Sequence, residues 1–172
     1  MRGIDRAGCF REQIGALLEE GVDLLFFETF TDFEEMTIAL EARKEVGDVL
    51  EICSFACAPD GRVSSGILLG DAFAKLQEQG ARMMGVNCMN DPRGTRKLLR
   101  QLPAERLLAV YPSAGLPKKQ GDRFVYATAP DCFAEAAAEM VAKGARVLGG
   151  CCGTTPAHIA ALASAIAELP RR

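Results

Sequence analysis

The sequence predicts an α/β fold built on a parallel sheet of about five strands. Short apolar runs alternate with longer segments in which apolar residues recur every three or four positions. A glycine, an aliphatic residue and a charged residue recur in that order at 21–23, 80–82 and 144–146, each time between a helical segment and an apolar run. Strands that alternate with helices lie parallel, because each helix returns the chain to the start of the next strand. This pattern fits either a barrel or an open α/β sheet.

Six segments have the apolar spacing of amphipathic helices. Their predicted bounds are 9–20, 33–46, 71–79, 94–101, 130–143 and 156–169. Gly21 ends the first helix, and Thr31-Asp32 can cap the second. Thr128 with Asp131 resembles a capping box for the fifth helix. Thr155-Pro156 begins the sixth, with threonine as N-cap and proline at the first helical position.

Five apolar runs have the composition of buried strands. They cover residues 22–27, 50–57, 82–86, 107–111 and 146–149. Residues 118–127, between the fourth and fifth runs, are expected to be extended and exposed. Polar residues stand where the runs end, namely Glu28, Asn87-Cys88, Ser113 and Cys151-Cys152. We therefore expect a binding site at the carboxyl edge of the sheet, where ligands bind in both barrels and open sheets.

Composition limits the class of protein. A chain of 172 residues is long enough for one domain with a sizeable core. Its net charge of −3 gives no indication of a nucleic-acid partner. No apolar run approaches the about 20 residues of a membrane span, and the N-terminus lacks a signal-peptide pattern. The odd count of seven cysteines favours free thiols in a reducing compartment, so we expect a cytoplasmic protein.

The stretch 149–156 places two adjacent cysteines on a turn between glycines. Adjacent Cα atoms lie about 3.8 Å apart, below the usual range of about 4.4–6.8 Å for a disulfide. Cys151 and Cys152 therefore suit a metal better than a bridge, and Cys88 stands at another strand end. Three cysteine ligands without a histidine indicate a zinc site with an open fourth position. The alternative is that these cysteines are small buried hydrophobic residues.

Residues 149–159, together with Gly85-Val86-Asn87-Cys88 and the strand end Glu28-Thr29, resemble the homocysteine S-methyltransferase family. Its members include the betaine-dependent enzyme, the homocysteine module of cobalamin-dependent methionine synthase, and bifunctional enzymes that join this module to a methylenetetrahydrofolate reductase. The resemblance covers nearly the whole chain. It implies a (β/α)8 TIM barrel, of which residues 1–172 form the C-terminal portion with about five β/α units, strands 4–8.

The resemblance also implies a set of site residues. Zinc would be held by Cys88, Cys151 and Cys152, and the homocysteine sulfur would take the open position. Glu28 matches the family position that receives the amino group of the substrate. Asn87 and Ser113 are weaker candidates for orienting its amino-acid end. The family usually has Pro-Asn-Ala-Gly where this chain has Ser113, and a hydroxyl replaces only some of the hydrogen bonds of that amide.

The implied activity is zinc-dependent transfer of a methyl group to the thiol of homocysteine, forming methionine. Relatives use betaine, S-methylmethionine, or methylcobalamin charged from methyltetrahydrofolate, and the sequence does not choose among these donors. A full barrel takes about 250 residues, so the alternative is an inactive zinc-binding fragment or a split subunit. Such a subunit would need a partner chain with the missing N-terminal barrel segment, or further modules. A cysteine-based redox protein is a weaker interpretation, because the sequence has no Cys-x-x-Cys.

The remaining cysteines and the single histidine have structural interpretations. Cys53 and Cys57 are expected in the core, with a second metal site as the alternative. Cys9 and Cys132 fall in or near helices and are expected to be structural. His158 would lie in the first turn of the last helix, and we expect it at the surface rather than as a fourth ligand.

Overall fold

The structure is a computed structural model that describes residues 4–103 and 108–170. Its helices are α1 (Arg6–Glu19), α2 (Phe33–Val46), α3 (Leu69–Glu78), α4 (Pro92–Arg100), α5 (Pro130–Ala142) and α6 (Pro156–Ala167). Its strands are β1 (Leu24–Phe30), β2 (Leu50–Phe55), β3 (Met83–Asn87), β4 (Leu108–Tyr111), β5 (Lys118–Gln120), β6 (Arg123–Val125) and β7 (Ala145–Leu148). Leu107, predicted as the first residue of a strand, lies outside the described residues. The predicted alternation of helices and strands is confirmed.

The main sheet is parallel and has five strands in the order β1-β2-β3-β4-β7. Each strand pairs with the next one along the chain, as in successive units of a barrel wall. The predicted α/β class with five consecutive β/α units is therefore confirmed. The short strands β5 and β6 form a separate antiparallel hairpin whose residues are all exposed, as predicted for residues 118–127. Within the described ranges, no helix is long and apolar enough to cross a membrane.

The two faces of the sheet carry different sets of side chains. The face that packs against the helices contributes large buried residues to the main core, namely Leu25, Phe27, Phe55, Met84, Val86, Leu108 and Val110. Alternate positions of the three central strands carry Ser54, Gly85 and Ala109, which are neighbours in register. The second face combines these small residues with larger ones such as Phe26, Ile52 and Tyr111, and Asn87 lies at its carboxyl end, two residues beyond Gly85.

A β-bulge near the end of β1 departs from the sequence prediction. Phe27 pairs with Cys53, whereas Phe30 pairs with Phe55, so β1 has one more residue than β2 in this interval. Thr29 lies in the bulge with a φ of 64°. β1 thus continues to Phe30, and Glu28 lies within the strand rather than after it. Glu28 and Thr29 are both exposed at the carboxyl end.

The helix starts confirm two of the three capping predictions. The Asp32 side chain accepts a hydrogen bond from the Glu35 N–H at the start of α2. Thr155 caps α6 as predicted. The capping box predicted from Thr128 and Asp131 is wrong, because α5 begins after Ala129 and has no side-chain cap. The N-cap residue of α5 is Ala129, which has no side-chain oxygen to accept from the first turn.

The interpretation of Cys53 and Cys57 as core residues is confirmed. Both are buried, and burial raises the pKa of the Cys53 thiol to about 12 and that of Cys57 to about 11. They therefore remain protonated at neutral pH and act as small apolar residues. Cys9 on α1 is exposed, and Cys132 on α5 is half-buried.

A cluster of charged residues around the buried Glu51 lies at the amino end of the sheet. Glu51, near the start of β2, has no exposed side-chain surface. Its carboxylate lies 2.6 Å from Nη2 of Arg43 and 3.1 Å from Nη2 of Arg82. The same Arg82 nitrogen lies 3.0 Å from Asp48 and also donates to the carbonyl of Val49. The Glu51 carboxylate is thus neutralised by cations of the protein itself.

Candidate metal centre

Backbone hydrogen bonds hold together the three turns that follow β3, β4 and β7. The Cys88 N–H donates to the Tyr111 carbonyl at 3.1 Å, which fixes the first turn against the end of β4. The Cys151 N–H donates to the Pro112 carbonyl at 2.8 Å, and the Ala114 N–H donates to the Cys152 carbonyl at 2.8 Å. These bonds place the cysteine turns side by side at the carboxyl edge of the sheet.

The three predicted ligands lie together. The Sγ atoms of Cys88 and Cys152 are 3.7 Å apart, those of Cys151 and Cys152 are 3.9 Å apart, and all three lie within 4.8 Å of one another. Three thiolates bound tetrahedrally to zinc, with Zn–S near 2.3 Å, would have sulfurs about 3.8 Å apart. The spacing of the thiols therefore fits a tetrahedral metal ion, and this cluster could hold one.

The cysteines have different proton affinities because their surroundings differ. Burial raises the pKa of Cys88, but hydrogen bonds from the Met89 backbone and from neighbouring side chains outweigh burial and lower it overall. Burial, together with the charges of Cys88 and Cys152, raises the pKa of Cys151 to about 11. Without a cation, three thiolates at this distance repel one another. A bound metal ion would remove this repulsion and release the thiol protons.

Asn87 connects the metal centre to two other strands. Its side chain is 3% exposed. Oδ1 accepts hydrogen bonds from the Thr29 N–H (3.1 Å) and the Ser54 hydroxyl (2.6 Å). Nδ2 donates to the Thr29 hydroxyl (2.6 Å) and lies 3.9 Å from Sγ of Cys151. Thr29 and Ser54 were not among the residues predicted for the site, although Ser54 is a visible polar exception within an apolar strand.

Glu28 lies beside Tyr111 at the same end of the sheet. The pKa of Tyr111 is raised by burial and also by the negative charge of Glu28. The ring of Tyr111 packs against Phe26 with centroids 5.2 Å apart, and it covers Gly149, two residues before the cysteine pair. The charge of Glu28 therefore acts on a residue that borders the cysteine turn. The sequence analysis did not identify Tyr111 as part of this site.

Ser113 is a buried hydroxyl next to the thiols. The residue is 2% exposed, and its Oγ has no hydrogen-bond partner of ordinary geometry among the described residues. Its side chain contributes to the lowered pKa of Cys88, so it lies close to that thiol. A buried hydroxyl without a partner is costly, and a polar group of a ligand would satisfy it.

The prediction that His158 lies at the surface is wrong. His158 is only 7% exposed, because its ring reaches back to cap the helix on which it stands. Nδ1 accepts from the Thr155 N–H at 3.1 Å, which leaves the proton on Nε2, and Nε2 donates to the Thr128 carbonyl at 2.9 Å. Both ring nitrogens are thus engaged, which agrees with the prediction that His158 is not a metal ligand.

The chain matches a family model described as homocysteine S-methyltransferase over residues 4–166. It is 32% identical over 170 residues to methionine synthase of Mycobacterium tuberculosis, covering 94% of this chain and 14% of that protein. It is 33% identical over 177 residues to betaine–homocysteine S-methyltransferase 1 of Mus musculus, covering 92% of this chain and 43% of that protein.

A solved structure supports the same likeness. The fold superposes on the apo form of the homocysteine methyltransferase MmuM from Escherichia coli with a TM-score of 0.71 and 29% identity. The match covers 92% of this chain and 57% of that one. The chain thus spans less than two thirds of each of these three relatives.

Proposed function

The chain belongs to the homocysteine S-methyltransferase family, and from this premise we propose that it carries the metal centre of an enzyme that methylates homocysteine to methionine. The observation that carries the proposal is the cluster of Cys88, Cys151 and Cys152, whose sulfurs have the spacing of a tetrahedral thiolate site. We propose residues 1–172 as the C-terminal portion of a homocysteine S-methyltransferase barrel. The free cysteines favour a cytoplasmic setting.

Zinc is the metal that this donor set favours. Soft thiolate ligands in a tetrahedral arrangement select zinc over the harder divalent cations, and three protein ligands leave a fourth position for substrate. When bound, zinc lowers the pKa of a coordinating thiol, so that homocysteine is available as a nucleophilic thiolate at neutral pH. The ordinary pKa of a free thiol, about 8.5, would leave most of the substrate protonated.

Glu28 and Ser113 would bind the amino-acid end of homocysteine, and Asn87 would help to orient it. Glu28 would pair with the ammonium group, since a carboxylate and an ammonium form a charge-assisted hydrogen bond. The unpartnered hydroxyl of Ser113 would accept or donate one further hydrogen bond. Asn87 lies between Thr29 and Cys151, next to both residues. An electron pair of the substrate sulfur forms the new S–CH₃ bond, the bond from the donor to that methyl breaks, and the thiol proton leaves to solvent.

A second candidate function is that of a subunit or segment that acts only with further β/α units. A groove of about 260 Å³ runs beside β1, lined by apolar residues such as Phe10, Leu17 and Phe26 and by the polar Gln13 and Glu28. β1 pairs on one side with β2 in the described sheet. A preceding strand and helix would cover this groove. If the chain needs such units, adding the corresponding segment of a relative should restore turnover to a chain that is inactive alone.

The proposal is tested first by counting metal ions. Chain purified without chelator should contain about one zinc per molecule by plasma mass spectrometry, as expected for one three-cysteine site, and Cys152→Ser should lose most of it. Cys9→Ser is the matched control, because Cys9 is an exposed cysteine on α1 and should leave the zinc content unchanged. Folded wild-type protein that binds no zinc would refute the proposal.

Activity then identifies the methyl donor. Methionine formation from homocysteine should be assayed with betaine, with S-methylmethionine, and with methylcobalamin plus methyltetrahydrofolate, each with and without the complementing segment. Turnover with one donor that disappears in Cys152→Ser supports the proposed reaction. Zinc-loaded protein without turnover under every condition would support the inactive zinc-binding fragment instead.

A further inference from the structure

We propose that Asn87 is a positioning residue. Its side-chain amide links Glu28, the carboxylate proposed to bind the substrate, to the proposed metal ligand Cys151. This inference rests on the proposed function, since it presupposes a metal at the thiols and a substrate ammonium at Glu28. Asn87 ends β3 and reaches β1, β2 and the turn after β7 at once. One buried side chain therefore contacts three of the elements from which the site is built.

Groups of the protein itself use the hydrogen-bonding capacity of the Asn87 side-chain amide. A side-chain amide offers two N–H donors and one oxygen with two lone pairs. Here the oxygen accepts from Thr29 and Ser54, while the nitrogen donates to the Thr29 hydroxyl and faces Sγ of Cys151. A direct bond from Asn87 to substrate would require one of these contacts to break. Its role is therefore to hold other groups in place.

The Thr29 N–H determines which way the amide points. A backbone N–H can only donate, so it requires the amide oxygen, and reversing the amide would place two donors against each other. With the oxygen fixed on Thr29, the nitrogen must face the Thr29 hydroxyl and Cys151. The N–H contact with the thiol therefore follows from the hydrogen bond on the opposite side of the amide.

On the substrate side, Asn87 holds the bulge that presents Glu28. Thr29 has a φ of 64°, in the left-handed region that β-branched residues rarely adopt. Such a conformation is energetically costly and persists only where its surroundings fix it. Asn87 supplies two of the fixing contacts, one to the N–H and one to the hydroxyl of Thr29. Because Glu28 is the neighbouring residue, the position of its carboxylate depends on the same contacts.

On the metal side, the amide N–H points to a sulfur that would be negatively charged. Nδ2 lies 3.9 Å from Sγ of Cys151, a long contact for a neutral thiol. A thiolate is a better acceptor, so this contact gains strength when Cys151 is deprotonated. Groups that hydrogen-bond metal ligands orient them, and mutating such a group typically costs about 10–100-fold in metal affinity. We expect Asn87 to act on the metal in this way.

Ser54 provides a matched control within the same network. Its hydroxyl donates to Asn87 at 2.6 Å but contacts neither Thr29 nor Cys151 in the hydrogen-bond network. Ser54→Ala thus removes one buried hydrogen bond and leaves both donors of the amide in place. Asn87→Ala removes the contacts to Thr29 and Cys151 as well.

The test compares these variants in the 172-residue chain. Zinc affinity, measured by competition with a chelator, should fall about 10–100-fold in Asn87→Ala, and by less than about threefold in Ser54→Ala. The thiolate-to-cobalt charge-transfer band of the Co²⁺-loaded chain should shift in Asn87→Ala and stay in place in Ser54→Ala. Equal zinc affinities and unshifted cobalt bands in the two variants would overturn the proposal. A loss of folding stability alone would not move the cobalt band.

A second measurement needs neither metal nor a folded Asn87 variant. In ¹⁵N-labelled, metal-free chain, the side-chain amide resonances of Asn87 should shift in Cys151→Ser and remain in place in Cys152→Ser. Unshifted resonances in Cys151→Ser would overturn the proposed coupling. If the wild-type chain binds no zinc, the proposed function fails, and this result still decides whether Asn87 contacts Cys151.

Discussion

The two ends of the sheet both concentrate polar groups, but they treat charge in opposite ways. At the amino end, the fully buried Glu51 lies within 2.6–3.1 Å of two arginines. At the carboxyl end, the groups that act on the Cys88 and Cys151 thiols are N–H donors, a hydroxyl and the other cysteines. The amino end is neutralised from within, whereas the carboxyl end gathers potential anions that a cation from outside would neutralise. Charge that the fold leaves uncompensated is what distinguishes the candidate site from a structural cluster.

The largest expected effect on the free energy of unfolding comes from removing the buried charge of Glu51 at the amino end of the sheet. Glu51→Gln keeps the shape of the side chain and leaves the buried Arg43 with only the exposed Asp48, 3.7 Å from its Nη1, as a counter-ion. Removing one partner of a buried pair typically costs about 3–5 kcal/mol, which urea unfolding would measure. Glu41→Gln is the control, since Glu41 pairs with Lys44 on the surface and should cost less than about 1 kcal/mol. Zinc content should be unchanged in both variants, and a loss of zinc in Glu51→Gln would mean that the two ends are not independent.

Adding zinc should stabilise the chain through the thiol cluster at the carboxyl end of the sheet. Zinc at 100 times its dissociation constant should raise the free energy of unfolding by about 2.7 kcal/mol. The gain should appear in the wild-type chain and in Glu51→Gln, and a chelator should reverse it. Cys88→Ser should show no gain, because it removes one of the three thiols. Equal stabilisation of Cys88→Ser would place the zinc elsewhere.

A methyl group added at Gly85, on the second face of the sheet, should lower the stability of the chain and disturb the site. A Cβ at Gly85 would lie 2.9 Å from the Ser54 side chain and 3.2 Å from the carbonyl oxygen of Ala109. Gly85→Ala should therefore destabilise the chain by about 1–3 kcal/mol through overpacking, and displace Ser54 from Asn87. Gly15→Ala is the control, because a Cβ there meets nothing within 4 Å and should stabilise α1 by about 0.5–1 kcal/mol. Thermal or urea unfolding with zinc titration would separate these outcomes.

The smallest expected effect concerns the partly exposed ion pairs of Glu139 with Arg96 and Arg100. Hydrogen bonding from Arg100, with help from Arg96, lowers the pKa of Glu139 to about 2. The folded state therefore prefers the ionised form, so this contribution is present above pH 4.5 and is lost as pH falls toward 2. Because the arginines are partly exposed, we expect only about 1 kcal/mol at neutral pH. Urea unfolding of wild type and Glu139→Gln should differ at pH 7 and converge near pH 2.

Sequence patterns sufficed where the signal was local. Apolar periodicity predicted the helices and the parallel strands, and the adjacent cysteines predicted the thiol cluster, because strand ends in a parallel sheet meet at one edge. The bulge at Thr29 was not predicted, since it depends on hydrogen bonds to Asn87, 58 positions away. The burial of His158 was missed for a different reason. Its capping role is local. Its burial, however, depends on Thr128, just before α5, and on the ring of Phe133 in α5.

The thiol cluster joins parts of the chain that are 64 positions apart, at Cys88 and Cys152. A metal ion held there would act as a removable cross-link that closes a loop of this length. While the metal holds the loop closed, the stretched chain would be shorter by roughly 220 Å, at about 3.4 Å per residue. Pulling on the two termini of a single molecule would therefore reveal metal binding as missing contour length.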